Sequence, residues 1–260
     1  MPFALDLDGV IWLADDAIPG AAAAVARLRA AGEPVVFVTN NSSQPVGEVE
    51  ARLARHGVPA AGDVITSAMA AAGLVARGEI VLVCGGPGVV EAVEARGAIV
   101  VREGDADAVL VGFHRDFDYE RLRIAATAVR RGARLLATNE DATYPTPDGP
   151  VPGGGAILAA IVTGSGVDPI VAGKPHPPMA ELVRARLGAR GVMVGDRPDT
   201  DGRFAQVLGY DFALVHTGVT GAFDLVDPAP DLVAPDLARL VDEVLGSARE
   251  ERSISSRRRC

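Results

Sequence analysis

The chain of 260 residues is long enough to bury a large core, and its content of 48% hydrophobic and 23% charged residues is typical of a folded globular protein. Its net charge of −9 argues against sequence-independent binding to nucleic acid or to an anionic membrane. Two cysteines are too few for a disulfide framework, and no apolar run approaches the roughly 20 residues that span a bilayer. An aspartate motif at residues 6–8 leaves no room for a preceding signal peptide, so we expect a cytoplasmic protein.

The apolar run Ala4–Val10 predicts a first strand that carries two carboxylates, Asp6 and Asp8. A strand that is apolar on both sides suits a sheet covered on both faces, and such strands present functional groups at their carboxyl ends. At a spacing of two residues the carboxylates start on the same face, so they could share a cation or divide nucleophilic and acid/base roles. Gly9 would allow a sharp turn or the close approach of a ligand. Taken alone, this motif also fits a surface turn with local hydrogen bonds only.

A polar cluster, Thr39-Asn40-Asn41-Ser42-Ser43, follows the second predicted strand at 34–38. A helix at 21–31 connects the two strands, which gives a β-loop-α unit. One residue of the cluster could cap the helix predicted at 47–56. Four or five polar residues in a row would still leave several free to bind a ligand.

Residues 68–170 form a second predicted unit, in which short apolar strands alternate with helices. This alternation predicts a second parallel sheet. Within it, Gly85-Gly86-Pro87-Gly88 follows a strand and opens a helix, which is a poor match to a dinucleotide-binding loop because the third glycine is missing. Residues 139–155 are dense in proline, glycine and polar residues, and loops of this length are usually functional or disordered.

Two later strands also end in residues that carry chemistry. A strand at 169–172 leads to Lys174, and a strand at 191–195 leads to Asp196 and Asp201. Because a parallel sheet gathers the carboxyl ends of its strands, we expect these residues at one edge together with the polar residues of the first two strands. The predicted fold is therefore α/β.

The predicted domains follow from this pattern. A doubly wound, Rossmann-like parallel-sheet core comprises residues 1–67 and 171–246, and an α/β cap domain is inserted at 68–170. Residues 247–260 are predicted to form a flexible basic tail.

Together the four motifs resemble those of the haloacid dehalogenase superfamily. They read Asp6-Leu7-Asp8-Gly9-Val10, Val38-Thr39-Asn40-Asn41, Gly173-Lys174-Pro175, and Gly195-Asp196 through Asp201. The insertion, with its segments 111–114, 138–145 and 152–155, resembles the C2-type cap of subfamily IIA, the NagD-like or p-nitrophenylphosphatase-like phosphatases. The resemblance covers residues 1–246, and four motifs in order are far more specific than any one of them.

The resemblance implies a Mg²⁺-dependent phosphomonoesterase that forms an aspartyl-phosphate. An aspartate with its ordinary pKa of about 3.9 is ionised at neutral pH, so Asp6 is assigned as the nucleophile that attacks phosphorus. Asp8 is assigned as the general acid/base, which protonates the leaving group and later activates water.

The remaining site residues are also implied by the resemblance. Mg²⁺ would be held by the Asp6 carboxylate, the Asp8 backbone carbonyl and Asp196, with Asp201 as a water-mediated or outer partner. The residues assigned to binding the phosphate group are Gly9, Thr39, Asn40, Asn41 and Lys174, of which Thr39 and Lys174 also serve catalysis.

Other acidic residues and the histidines receive no role at this point. Asp199 is expected to be solvated, and Asp141 and Asp148 are expected to be loop or turn residues, with contact to the substrate as the alternative. The four histidines lack the spacing of a transition-metal site, although His114 and His176 could face a cleft.

The expected substrate is a small phosphorylated metabolite, such as a sugar, glycerol or nucleotide phosphate. The loop after Val10 is short, so the inserted domain must cover the site, and the resemblance suggests a homodimer formed through this cap. Two alternatives remain: a phosphotransferase that uses the same intermediate, and a non-catalytic phosphate-binding module. The complete motif set argues against the second.

Overall fold

The computed structural model describes residues 1–146, 149–222 and 224–246. Its helices are α1 Ala21–Ala30, α2 Val46–Arg55, α3 Ser67–Ala72, α4 Pro87–Ala95, α5 Tyr119–Arg130, α6 Gly154–Ser165, α7 Pro177–Leu187, α8 Arg203–Leu208 and α9 at 237–246. Its strands are β1 Phe3–Leu5, β2 Trp12–Leu13, β3 Asp16–Ala17, β4 Val35–Thr39, β5 Val64–Thr66, β6 Ile80–Cys84, β7 Ile99–Val101, β8 Ala108–Val111, β9 Arg134–Ala137, β10 Thr143–Thr146, β11 Gly149–Pro152, β12 Ile170–Val171, β13 Val192–Gly195, β14 Asp211–Val215 and β15 Leu232–Ala234. The predictions for Asp148 and for the tail 247–260 lie outside the described residues.

The first sheet has six strands in the order β15-β14-β13-β1-β4-β5. In its middle β1 pairs in parallel with β13 and with β4, so that Phe3 lies opposite Val192 on one side and Val35 on the other. All three residues of β1 are fully buried, since the strand has a neighbour on each side and is covered on both faces. This explains why the run before Asp6 is apolar without alternation.

The second sheet has five strands in the order β12-β9-β8-β6-β7, and every neighbouring pair is parallel. Its strands pack with α5 and α6 around a buried cluster that includes Val109, Leu135 and Ile161. Helix α5 begins where the Asp118 side chain accepts a hydrogen bond from the backbone N–H of Arg121. The predicted α/β fold with two parallel sheets is therefore confirmed.

Three expectations about local structure were wrong. The strand before Lys174 belongs to the second sheet, because Ile170 and Val171 pair with Leu136 and Ala137 of β9, so the expected gathering of four strand ends at the edge of one sheet does not include it. The first strand ends at Leu5 rather than Val10, because the chain turns from Leu7 onward: the Leu7 carbonyl accepts a hydrogen bond from the N–H of Ile11, and Gly9 within this turn has a φ of 81°. The long loop at 139–155 contains the antiparallel pair of β10 and β11.

The chain divides into two compact units. The first unit comprises Met1–Phe37, Leu53–Asp63 and the chain from Arg184 onward, and the second comprises Val38–Arg52 and Val64–Val183. The predicted domain boundaries at 67/68 and 170/171 stay a prediction. Among the described residues, no helix combines the length and the apolarity needed to cross a membrane.

A Cys-His-Asp arrangement lies in the second unit. The Cys84 Sγ is 3.6 Å from Nε2 of His114, whose Nδ1 is 2.8 Å from Oδ1 of Asp116. Burial raises the pKa of the Cys84 thiol to about 12, while the hydrogen bond from His114 lowers the pKa of Asp116. A thiol that stays protonated and only 2% exposed is a packing residue and not a nucleophile, and His114 is held between its two partners.

We expect Cys84 to resist alkylation in the folded protein. The thiolate is the reactive form, and both burial and the raised pKa suppress it, so iodoacetamide at pH 7.5 should modify Cys84 at least about a hundredfold more slowly than in urea. Mass spectrometry of the peptide that contains Cys84 measures both rates. Equal rates with and without urea would contradict the burial of this thiol.

Candidate active site

Three buried carboxylates form a cluster in the first unit. Asp6 directly follows β1 and Asp196 directly follows β13, and these parallel neighbours bring their carboxyl ends side by side. Asp201 lies in the helical turn Pro198–Gly202. One carboxylate oxygen from each of the three residues lies within 4.8 Å of the others, and the residues are 8%, 2% and 0% exposed.

Glycines allow these carboxylates to lie so close to the backbone. Gly9 has a φ of 81°, and a Cβ atom at this position would lie 2.6 Å from Cγ of Asp196. A side chain at Gly218 would likewise collide with Asp196, and one at Gly195 with Asp201. Replacing any of these glycines would therefore displace an acid of the cluster.

Backbone N–H groups orient the two acids that follow β13. The N–H of Val219 donates to Oδ2 of Asp196 at 2.6 Å, and the N–H of Arg197 donates to Oδ2 of Asp201 at 3.2 Å. The main chain at Asp6 is held by β13, since its N–H donates to the carbonyl of Val194 at 2.9 Å. Such donors stabilise ionised carboxylates.

The acid cluster fits a hard divalent cation. Three carboxylates at this distance repel one another when they are ionised, and a cation with oxygen ligands removes that repulsion. An all-carboxylate donor set suits Mg²⁺ or Ca²⁺ rather than a transition metal. The structure thus brings together three of the acids that the sequence associated with the metal.

Asp8, the remaining acid of the predicted motifs, is bound by a tryptophan. The Nε1–H of Trp12 donates to Oδ1 of Asp8 at 3.0 Å, and the indole is 3% exposed with its ring 5.8 Å from the ring of His56. Sequence reasoning missed Trp12. The signal was present, since the only tryptophan of the chain stands four residues after Asp8 in an apolar run.

The other predicted residues lie in the second unit. Thr39 ends β4 and is 2% exposed, and its Oγ1 accepts a hydrogen bond from the backbone N–H of Asn41 at 3.1 Å. The Asn41 side chain closes a local turn, because its Oδ1 accepts hydrogen bonds from the N–H and the hydroxyl of Ser43. Lys174 is 2% exposed and follows β12.

The amide of Asn40 binds the main chain of Lys174. The Lys174 N–H donates to Oδ1 of Asn40 at 2.8 Å, and Nδ2 of Asn40 donates to the Lys174 carbonyl at 3.0 Å. The same Nδ2 donates to Oδ2 of Asp141 at 3.1 Å, so Asp141, which was expected to be a loop residue, makes a contact across 101 positions of sequence. Asp199 is solvated as expected, with its side chain 63% exposed beside Arg197.

The glycine-rich loop after β6 has a packing role. The backbone N–H of Gly88 donates to the carbonyl of Ser43 at 3.1 Å, and a Cβ atom at Gly86 would lie 2.9 Å from Cα of Ser43. The hydroxyl of Ser42 is 2.9 Å from that of Thr138. The glycines are therefore needed for contact with the polar cluster after β4, which removes the main argument for a dinucleotide loop.

Two family models match the chain. Residues 3–99 match a haloacid dehalogenase-like hydrolase model, and residues 171–240 match a HAD-hydrolase-like model. The stretch between them carries most of the second sheet.

Curated relatives and solved structures extend the match over most of the chain. A 5′-nucleotidase of Bacillus subtilis is 35% identical over 86% of this chain and 90% of its own. A D-glycerol 3-phosphate phosphatase of Mycobacterium tuberculosis is 39% identical over 87% of this chain, although the match spans only 65% of that relative's length.

Two solved structures share the fold. The structure of a glycerol phosphate phosphatase of Mycobacterium tuberculosis in complex with magnesium is 36% identical, covers 92% of this chain and 75% of that chain, and has a TM-score of 0.85. That of a p-nitrophenyl phosphatase from Archaeoglobus fulgidus is 30% identical over 93% of this chain and 98% of that chain, with a TM-score of 0.87. The chain therefore belongs to the haloacid dehalogenase-like hydrolases, in the group of NagD-like and p-nitrophenylphosphatase-like proteins.

Proposed function

We propose that this protein is a Mg²⁺-dependent phosphomonoesterase that hydrolyses small phosphorylated metabolites. The observation that carries the proposal is the buried cluster of Asp6, Asp196 and Asp201, whose donor set fits magnesium. Its relatives act on glycerol phosphate and on nucleotides, and a related structure binds magnesium. The same substrate class is proposed for this chain.

Asp6 is the nucleophile in this proposal. Its carboxylate oxygen attacks phosphorus, the bond from phosphorus to the ester oxygen breaks, and the phosphoryl group passes to Asp6 as an aspartyl-phosphate. A bound magnesium ion supplies positive charge that offsets the charge of the phosphate oxygens and of the carboxylates. Asp196 and Asp201 would hold that ion together with Asp6, since the three carboxylates lie within 4.8 Å of one another.

Asp8 moves the protons. It donates a proton to the leaving alkoxide, and it then takes a proton from the water that attacks phosphorus and releases inorganic phosphate from Asp6. The indole N–H of Trp12 can only donate, so it holds one carboxylate oxygen of Asp8 in place without accepting the proton. Trp12 is therefore a positioning residue for Asp8.

The residues assigned to binding the phosphate oxygens are Gly9, Thr39, Asn40, Asn41 and Lys174. Lys174 supplies positive charge, and the hydroxyl of Thr39 supplies a hydrogen bond. The Asn40 amide already binds the main chain of Lys174, which supports a contribution from the Asn40 backbone rather than from its side chain.

We further propose that the protein is cytoplasmic and forms a homodimer through its inserted domain. The edge strand β7 supports pairing, because Ile99 is 54% exposed and edge strands readily contact other chains. The low cysteine count supports a reducing compartment. Light scattering coupled to size-exclusion chromatography measures the oligomeric state.

Replacing the nucleophile should abolish turnover. Asp6→Asn keeps the size of the side chain but removes the attacking charge, so kcat on p-nitrophenyl phosphate and on a panel of phosphorylated metabolites should fall at least about 10³-fold. Initial rates with Mg²⁺ and with chelator measure the effect. The matched control Asp105→Asn, at a side chain that is 94% exposed, should leave the rates unchanged. A folded wild-type protein that hydrolyses none of these esters with Mg²⁺ would refute the proposed function.

Weakening the outer part of the acid cluster should weaken metal binding. Asp201→Asn still accepts the hydrogen bond from Arg197 but loses one charge, so the Mg²⁺ concentration for half-maximal activity should rise about 10- to 100-fold. Calorimetric titration with Mg²⁺ alone gives a second reading that does not depend on turnover. An unchanged dissociation constant would remove Asp201 from the metal site.

Removing the indole donor should slow the proton transfers. Trp12→Phe keeps an aromatic ring but deletes the N–H that binds Asp8, so kcat should fall about tenfold while KM stays within about threefold. His56→Ala is the control, because it removes a ring contact of Trp12 and keeps the donor. A kcat for Trp12→Phe equal to that of wild type would exclude the positioning role.

A further inference from the structure

The Asn40 amide and the main chain of Lys174 form a reciprocal pair of hydrogen bonds, at 2.8 Å from the Lys174 N–H and 3.0 Å to its carbonyl. A side-chain amide carries the same donor and acceptor as a peptide group, so Asn40 binds Lys174 as a neighbouring strand would. The two residues are 134 positions apart in sequence. Lys174 lies in a turn beyond β12, so among the described residues no strand pairing holds its main chain in this way.

Asp141 determines the orientation of this amide. One N–H of Nδ2 donates to the Lys174 carbonyl and the other donates to Oδ2 of Asp141 at 3.1 Å. A flipped amide would turn its oxygen toward two acceptors and its N–H groups toward the Lys174 N–H. The flipped state is therefore disfavoured, and only one orientation satisfies all three groups.

The backbone of Asn40 is anchored as well. Its carbonyl accepts a hydrogen bond from the hydroxyl of Ser67 and another from Nδ2 of Asn139, both at 2.7 Å. The Oδ1 of Asn139 accepts the N–H of Asp141 at 3.2 Å. The segment 139–141 thus holds Asn40 through both its main chain and its side chain.

Gly173 makes the close approach possible. A Cβ atom at this position would lie 2.6 Å from Oδ1 of Asn40 and 3.0 Å from Cβ of Ser67. Any other residue before Lys174 would push the amide away from the lysine. The close contact with Asn40 therefore requires a glycine at the first position of the Gly-Lys-Pro motif.

We propose that Asn40 is a positioning residue for Lys174, and that Asp141 acts by orienting the Asn40 amide. The proposal rests on the proposed function, in which the Lys174 ammonium neutralises phosphate charge. Lys174 is 2% exposed, so its main chain sets where the buried ammonium can reach. Charge stabilisation depends on a position set in advance, and a displacement of about 1 Å can cost about a hundredfold in rate.

A double-mutant cycle on kcat/KM for p-nitrophenyl phosphate with Mg²⁺ tests this proposal. Asn40→Ala should lower kcat/KM about 10- to 100-fold, mostly through kcat. In the Lys174→Ala background the same change should have an effect of less than about threefold, because Asn40 then has no lysine to position. Multiplying losses in the double variant would show that Asn40 acts independently of Lys174 and would overturn the proposal.

Two variants of Asp141, one conservative and one that truncates the side chain, test the proposal if Asn40→Ala does not fold. Asp141→Asn keeps an acceptor for the Asn40 amide and should stay within about threefold of wild type, whereas Asp141→Ala should lose about tenfold. Equal losses of kcat/KM in both variants would show that Asp141 acts through its charge and does not act by orienting the Asn40 amide. Gln206→Ala, which truncates an exposed amide in α8, is the control and should keep full activity.

Hydrogen exchange separates this proposal from the proposed function. The amide proton of Lys174 should exchange at least about tenfold faster in Asn40→Ala than in wild type, whether or not the protein hydrolyses phosphoesters. If wild type hydrolyses no phosphoester but Lys174 exchanges faster in Asn40→Ala, the proposed function is refuted and the hydrogen bond between Asn40 and Lys174 is confirmed. Full activity of Lys174→Ala, or unchanged exchange in Asn40→Ala, would overturn the positioning role.

Discussion

Crowding of negative charge is the constraint on which the first unit depends. Two unit charges 4.8 Å apart repel by about 3 to 4 kcal/mol at an effective dielectric constant of 20, so three ionised carboxylates at this spacing oppose folding. A hydrogen bond from a backbone N–H to a charged group contributes only about 1.5–3 kcal/mol, and the structure provides such donors at Asp196 and Asp201. A divalent cation offsets the remaining repulsion. The electrostatic repulsion that destabilises the metal-free cluster is relieved when a cation binds, and this relief contributes to the affinity for magnesium.

The second unit is subject to a different constraint: it holds a buried lysine, Lys174, that lies outside regular secondary structure. Lys174 follows a strand of only two residues, and its main chain is bound by a side chain from the end of β4. Asn40 can do this because its amide matches a peptide group, and Asp141 and Gly173 leave that amide one orientation and enough space. In the first unit Trp12 likewise holds a functional residue in place, since its indole N–H donates to Asp8 and cannot accept a proton.

Most elements could be predicted from the sequence because their signals are local. Buried apolar runs marked β4 and β13 to within one or two residues, and the family motifs identified Asp6 and Asp196 before any contact was known. The sheet to which β12 belongs could not be predicted in this way. Its two residues fit any parallel sheet, and pairing with β9 depends on partners more than thirty residues away. The β10–β11 pair was hidden for a related reason, since proline and glycine dominate its sequence.

The sequence by itself determined the α/β class, the four motifs and thereby the family, because residue type and spacing along one strand or turn are enough to recognise them. Only the tertiary structure decided which residues hold those motifs in place. Trp12, Asp141 and Gly218 stand at ordinary positions in an apolar run, a loop and a strand end, and their roles appear when distant segments meet. The physical reason is that hydrogen bonds and close packing act over a few ångströms in space. Asn40 and Asp141 are 101 positions apart, and the chain between them carries no local sign of their contact.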